Sequence, residues 1–279
     1  MRLPAMIWTI LCLAAAAHAE TLTPRSGGIA PCEAPQTVPL YVGARGGIVS
    51  HHGLASAMIS RFYSALKAAN PGARRAIVIG PDHFMTGRHN ISLCPSDWTP
   101  PGGVLKADGQ ALELLKVRGV VGVESLPFRQ EHSIGLQVCF LKRFFPDLQV
   151  VSLIVKGDTP LFKLRRLIAP LAQLLSEEGT VIILSMDFSH EKMPAAARAE
   201  DDKSLSRIVN FETEKLKDLD VDAPPALWLF LRVLQRQGLT EPHILERACS
   251  SEIVGRPDLP CTSYASVLFR KKITPLDAQ

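Results

Sequence analysis

The sequence lacks a strong excess of either charge. Its 279 residues carry 31 lysines and arginines against 27 acidic side chains, a formal net charge of +4. The basic residues are also dispersed, in short groups at positions 74–75, 163–166 and 270–272 that are typical of solvated helix and strand ends. A protein that binds nucleic acid needs a concentrated basic surface to neutralise phosphates, so this composition argues against a nucleic-acid partner.

The sequence also lacks an apolar run long enough to cross a membrane. The run near the N-terminus, Met6 to Ala17, is shorter than the ~20 residues that a transmembrane helix needs. It follows Arg2 and precedes Ala17-His18-Ala19, an arrangement typical of a secretory signal peptide. We predict a signal peptide over residues 1–19, a mature chain that begins at Glu20 without a membrane span, and a periplasmic or secreted location. A retained membrane anchor is the alternative.

Cysteine is scarce, and its number is odd once the signal peptide is removed. Five of the six cysteines then remain, and in an oxidising compartment an odd number predicts pairs with one left over. Cys249 and Cys261 flank a turn-rich connection between two predicted strands, so we predict a disulfide between them. Cys139 lies in an apolar helical segment typical of a buried free thiol. Cys32 with Cys94 is a second predicted pairing.

Internal repeats and long polar linkers are absent, which favours one folded unit. Continuous β-branched runs at 46–50, 75–80, 149–155 and 180–186 are typical of strands buried on both faces. Helical patterns follow at 54–69, 132–145, 160–178, 195–216 and 225–237. This alternation predicts the α/β class: a single three-layer α/β/α domain with a mostly parallel central sheet, spanning residues 40–273 after a Pro-rich coil at 20–39.

Polar side chains follow the predicted strands, where open α/β sheets place their sites. Histidines and aspartates lie just after three strands, and one histidine begins the helix that leads to a fourth: His51, His52, Asp82, His83, Asp187, His190 and His132. Taken singly, each can be a helix cap or a local turn residue. Together they predict a metal or acid–base centre, because neutral imidazole and carboxylate suit iron, zinc or copper.

Five motifs that include these residues resemble the Memo family, protein B of the AmmeMemoRadiSam system: "SHHG", "IGPDHF", "EHSIGLQ", "SMDFSH" and "SYASVLF". The family is similar in fold to class III extradiol dioxygenases, which open catechol rings with non-haem iron. The resemblance implies His51 and His83 as metal ligands, with His52 in a variable, supporting position. It places His132 near the metal and implies that Asp187 and His190 are a polar pair in the pocket.

The sequence departs from the family at the third metal ligand. Well-known Memo proteins have a cysteine before a late helix, whereas the corresponding segment here, "LDVDAPPALWLF", offers Asp220 or Asp222. We predict Asp222. Two histidines and one carboxylate form the arrangement that holds iron(II) with open positions, so iron(II) is favoured, with copper, zinc or manganese as alternatives.

The predicted function is that of a metal-dependent oxidoreductase, dioxygenase-like, acting on an unidentified small molecule. His132 or His190, with Asp187, would be the catalytic groups, because a histidine tuned near neutrality can take a substrate proton while the metal polarises a bound oxygen. Two alternatives stay open: a non-catalytic metal- or ligand-binding protein, and a hydrolase in which the metal activates water.

Overall fold

The computed structural model describes residues 21–24 and 39–272 of the chain. The strands within these ranges are β1 Thr21–Leu22, β2 Ala44–Val49, β3 Arg75–Pro81, β4 Ile91–Leu93, β5 Asp97–Trp98, β6 Lys106–Ala107, β7 Val121–Val123, β8 Gln149–Val155, β9 Thr180–Ser185, β10 Glu241–Cys249 and β11 Ser263–Arg270. The α-helices are α1 Ser56–Ala69, α2 Gly109–Leu115, α3 His132–Phe144, α4 Leu161–Ser176, α5 Pro194–Val209, α6 Pro224–Gln237 and α7 Ser250–Ile253. Short 3₁₀ turns lie at Gly53–Ala55, Leu126–Arg129 and Thr213–Lys215.

One large sheet organises the described part of the chain. Its strand order is β10-β11-β2-β9-β3-β8-β4-β7, and β6 also pairs with β8. The four central strands β2, β9, β3 and β8 are parallel to one another, whereas β10, β11 and β4 introduce antiparallel pairs. The carboxyl ends of β2, β9 and β3 therefore lie side by side at one edge, where a site can form.

Both faces of this sheet are covered. In β3, Ile77 and Ile79 point into the core beneath α4 and α6, whereas Ala76 and Val78 point into the core beneath α1 and α3. Side chains alternate between the two faces of a strand, so a strand buried on both faces has a continuous apolar sequence. The predicted three-layer α/β/α architecture with a mostly parallel sheet is confirmed.

One predicted helix is too long. The pattern at 195–216 predicts a single helix, but α5 ends at Val209, and a separate 3₁₀ turn occupies Thr213–Lys215. Asn210 ends the helix by donating its side-chain amide to Ser206 O at 2.8 Å, and Phe211 follows with a φ of 53°. A non-glycine residue in this left-handed region cannot continue an α-helix.

The predicted Cys249–Cys261 disulfide is confirmed. The two Cα atoms lie 6.0 Å apart, within the usual range for a disulfide, and the structure joins the two sulfurs. The bond links the end of β10 to the segment that enters β11. Cys139 is buried in α3, as predicted. The Cys32–Cys94 pairing stays a prediction, because Cys32 lies outside the described residues.

Two predictions about the N-terminal region concern residues outside the described ranges. These are the signal peptide at 1–19 and most of the coil at 20–39. Within residues 21–24 and 39–272, no helix combines the length and the apolar character that a membrane crossing requires.

Candidate metal centre

Three neighbouring strands each deliver a polar side chain to the same edge of the sheet. His51 follows the end of β2 by two residues, His83 follows β3 by two, and Asp187 follows β9 by two. Because β2, β9 and β3 are adjacent and parallel, these residues converge. The backbone N–H of His51 donates to Asp187 Oδ1 at 3.2 Å, which ties two of the strand ends together.

Helix α3 closes this edge and adds a third imidazole. Its start lies close to β3 because Gly80 has no side chain; a Cβ there would be 2.6 Å from Ser133 Oγ. His132 is the first residue of α3, and its ring stacks on that of His83 with centroids 4.4 Å apart. The His51 ring lies 4.9 Å from the His83 ring and 5.1 Å from the His132 ring. The three imidazoles thus surround one point.

Asp222, in the segment that precedes α6, lies beside the same three imidazoles. Its backbone and side chain are anchored to Asp187: Asp187 N–H donates to Asp222 Oδ1 at 3.1 Å, and Asp222 N–H donates to Asp187 O at 3.3 Å. The other oxygen, Asp222 Oδ2, lies 3.0 Å from His51 Nε2 and 3.4 Å from His83 Nε2. It is buried and has no hydrogen-bond partner among the described residues other than these two imidazoles.

These spacings fit ligands of one metal ion. Two ligands held about 2.1 Å from the same ion are about 3.0 Å apart at right angles and about 3.4 Å apart at the tetrahedral angle. The distances from Asp222 Oδ2 to His51 Nε2 and to His83 Nε2 match these two separations. Two groups of the described residues have ligand atoms within 4.8 Å of one another, and both include His51. One adds His83 and His132, and the other adds Asp187 and Asp222, so His83 and Asp222 belong to different groups. A buried carboxylate oxygen without a hydrogen bond is costly unless a cation faces it.

Glu131 orients His83, a role that the sequence analysis missed. Its side chain is fully buried, and Oε1 lies 2.8 Å from His83 Nδ1 while Oε2 accepts the backbone N–H of His83 at 2.9 Å. A carboxylate can only accept, so His83 Nδ1 carries the hydrogen and Nε2 faces Asp222. Carboxylate–histidine pairs of this kind hold a metal ligand in the correct tautomer. The signal was present, because Glu131 directly precedes His132 in "EHSIGLQ".

Charges in the cluster shift the pKa values of its members in opposite directions. Burial lowers the pKa of His83, but the carboxylates of Asp222 and Glu131 outweigh it and raise that pKa to about 10. Burial also lowers the pKa of His51, but the carboxylates of Asp187 and Asp222 outweigh this effect, so that pKa is raised. Asp222 has a lowered pKa, because the two imidazoles outweigh its own burial. In the absence of a metal, protons on His51 and His83 therefore offset part of the negative charge of the carboxylates.

His132 has a different environment. Burial lowers its pKa, and the charges of His51 and His83 lower it further, to about 4. Its side chain is 42% exposed, whereas that of His51 is 2% exposed. His132 is therefore neutral at pH 7 and marks the open side of the site.

The remaining predicted residues lie around the cluster. His52 turns away from it and contacts the hydroxyl of Tyr264 through Nδ1, and burial together with His51 and His190 lowers the pKa of His52. His190 is exposed on the loop after β9. Asp220, the alternative to Asp222, forms an ion pair with Lys192 at 2.8 Å and does not belong to either group of candidate ligands.

Comparison with known proteins shows the family of this chain. The sequence model of the family described as "Memo-like protein" matches residues 33–267, so the chain belongs to the Memo family. A MEMO1 family protein of Pyrobaculum arsenaticum is 28% identical over 241 residues, covering 82% of this chain and 84% of the relative. One of Ignicoccus hospitalis is 28% identical over 253 residues, covering 86% and 88%.

A solved structure, that of uncharacterized protein JW3007 from Escherichia coli K12, is also similar to this chain. It aligns with a TM-score of 0.47 and 15% identity, covering 80% of this chain and 99% of that one.

Proposed function

We propose that this protein binds a single metal ion through His51, His83 and Asp222 and acts as a dioxygenase-like oxidoreductase on a small molecule. The observation that carries the proposal is the position of Asp222 Oδ2. It lies between two imidazole Nε2 atoms, at 3.0 and 3.4 Å, and has no other hydrogen-bond partner among the described residues. Iron(II) is the favoured metal, because two imidazoles and one carboxylate are the set that holds it with open positions.

The charge of the site supports a divalent cation. Asp187, Asp222 and Glu131 bring three carboxylates into a mostly buried region, and the imidazoles of His51 and His83 are neutral when they bind a metal. Without positive charge such a region is unstable. When bound, iron(II) would polarise a substrate oxygen and bring oxygen and substrate together.

The chain itself supplies the proton acceptor and the orientation. His132 is neutral, lies beside His83 and is exposed on the open side, so it can accept a proton from a substrate hydroxyl that enters there. Asp187 fixes the backbone of His51 through Oδ1, and its Oδ2 lies 3.8 Å from His51 Nε2. Its negative charge would stabilise a cation or an imidazolium at that point. His190 would serve as an outer proton carrier.

The proposal includes a location outside the cytoplasm, after removal of residues 1–19. It is supported by the pairing of Cys249 with Cys261, because disulfides persist mainly in oxidising compartments.

The test is anaerobic loading of the mature protein with iron(II), followed by measurement of binding and of oxygen uptake with catechol-type probes. We expect one ion per chain, lost in His51→Ala, His83→Ala and Asp222→Ala. His89→Ala is the matched control, since His89 is half-exposed on a loop after β3 and lies outside the ligand groups. Equal binding by wild type and Asp222→Ala would refute the ligand set. Tight binding without iron-dependent oxygen uptake would favour a non-catalytic or hydrolytic role.

A further inference from the structure

A chain of buried polar side chains lies beneath His51, on the side away from Asp222. It consists of Tyr63 in α1, Gln137 in α3 and Ser185 at the end of β9, and all three are fully buried. Buried polar groups are expensive unless every hydrogen bond is made, so the direction of each bond here can be worked out.

The orientation of Gln137 is unambiguous. Its Nε2 lies 2.8 Å from the carbonyl oxygen of Ser50, which can only accept, so this end must be the NH₂ group. The opposite end, Oε1, accepts the hydroxyl hydrogen of Tyr63 at 2.9 Å. The second hydrogen of Nε2 is then directed at Ser185 Oγ, 3.0 Å away.

Ser185 has one hydroxyl hydrogen, and it is already used. Ser185 Oγ donates this hydrogen to the carbonyl oxygen of Ser133 at 2.6 Å, because a carbonyl oxygen can only accept. Toward Gln137, Ser185 can only accept. Its third contact is His51 Nδ1 at 3.3 Å, and there it has only a lone pair to present. The hydrogen of that contact must therefore belong to His51 Nδ1.

We infer that Ser185, held by Gln137, is a positioning residue that fixes His51 as the Nδ1–H tautomer and so keeps its Nε2 lone pair directed at the metal position beside Asp222. This inference rests on the proposed metal site. It assigns to an uncharged serine the task that Glu131 performs for His83. The two ligands are thus oriented by different groups, a neutral network for the buried one and a carboxylate for the more exposed one.

The tautomer can be measured directly by ¹⁵N NMR of histidine side chains in metal-free Asp222→Ala protein, at a pH where His51 is neutral, with His51→Gln to assign the signal. This background is needed because Asp222 Oδ2 lies 3.0 Å from His51 Nε2 and, without a metal, would attract a hydrogen to that nitrogen. We expect Nδ1–H when Ser185 is present and a mixture of tautomers when Ser185→Ala is added, and Ser185→Thr, which retains a hydroxyl, should give the same spectrum as Ser185. A His51 protonated at Nε2 in the presence of Ser185 would overturn the inference.

Metal affinity provides a second readout, with Zn²⁺ as the probe. Loss of an orienting partner costs a metal site 10- to 100-fold in affinity, so we expect a loss on the order of 10- to 100-fold in Ser185→Ala. Ser152→Ala is the matched control, because Ser152 is a buried serine on β8 that accepts from Trp98 Nε1 and lies outside the site. Equal affinity and tautomer in both alanine variants would overturn the inference. Nδ1–H in the Asp222→Ala background, together with a wild type that binds no metal, would confirm the tautomer and refute the proposed function.

Discussion

Metal binding by this site should depend steeply on pH, and the slope can be worked out from His83. Its pKa is raised to about 10, so in metal-free protein at pH 7 its imidazole is protonated and an incoming ion must displace that proton. One displaced proton changes the apparent affinity about tenfold per pH unit, or about 1.4 kcal/mol. Between pH 8 and pH 6 the affinity should therefore fall about 100-fold through His83 alone.

His51 adds to this effect, whereas Asp222 does not. The raised pKa of His51 means that a second proton is displaced wherever that imidazole is still charged, so the slope lies between one and two. The lowered pKa of Asp222 keeps this carboxylate ionised over the whole range. The low pKa of His132, about 4, likewise removes it from the proton count.

The assay is isothermal titration with Zn²⁺ between pH 6 and pH 8, in buffers with different ionisation enthalpies, which yields the protons released for each ion bound. We expect one to two. Glu131→Gln removes a carboxylate that raises the pKa of His83, so proton release at pH 8 should fall in this variant. His89→Ala should behave as the wild type. An affinity that is constant over these two pH units would show that the ion does not displace a proton from His83, and the reasoning would fail.

Four further outcomes are expected. The ion pairs of His83 stabilise the metal-free fold fully at pH values below about 6.5, the pKa of histidine in the unfolded chain, and this stabilisation is lost as pH rises through about 10, the pKa of His83 in the folded protein. The Tm of metal-free protein should therefore fall between these two pH values, and a constant Tm would contradict this. Asp222→Cys should shift metal preference from iron or manganese toward zinc and copper(I) in competition assays, because thiolate is the softer ligand; an unchanged order would exclude residue 222 as a ligand. Cys249→Ser should lower the free energy of unfolding by about 3 kcal/mol in denaturant titration, the value for a loop of about 15 residues, and an equal stability under oxidising conditions would argue against the disulfide. N-terminal sequencing of exported protein should begin at Glu20, and material that retains Met1 would refute cleavage.

The fold was predictable because its central strands are buried on both faces. A strand in that position has no solvent face, so runs such as "RAIVIG" and "TVIILS" are apolar throughout and are distinguished from helices by their length and β-branching. The end of α5 was not predictable in the same way. The helix ends because of the side-chain hydrogen bond of Asn210 and the left-handed backbone of Phe211, and the spacing of apolar residues in the sequence predicts neither feature.

The residues of the site also differ in how well the sequence predicts them. His51, His83 and Asp187 could be placed from the sequence because each follows a recognisable strand, and parallel strand ends meet at one edge. Asp222 follows no strand. It reaches the site from an irregular segment before α6, held there by reciprocal bonds to Asp187, and only the folded chain distinguishes it from Asp220 two residues earlier.

The orienting groups were the hardest to find, and the reason is physical. Gln137 and Ser185 act through hydrogen bonds whose direction depends on every neighbour, including the carbonyls of Ser50 and Ser133, and no spacing in the sequence encodes such a network. What makes Ser185 informative is that its single hydrogen is already committed, so that the neighbouring imidazole is left with one tautomer. The positions of the proposed ligands thus follow from the folded topology, and the tautomer inferred for His51 follows from the hydrogen bonds packed beneath it.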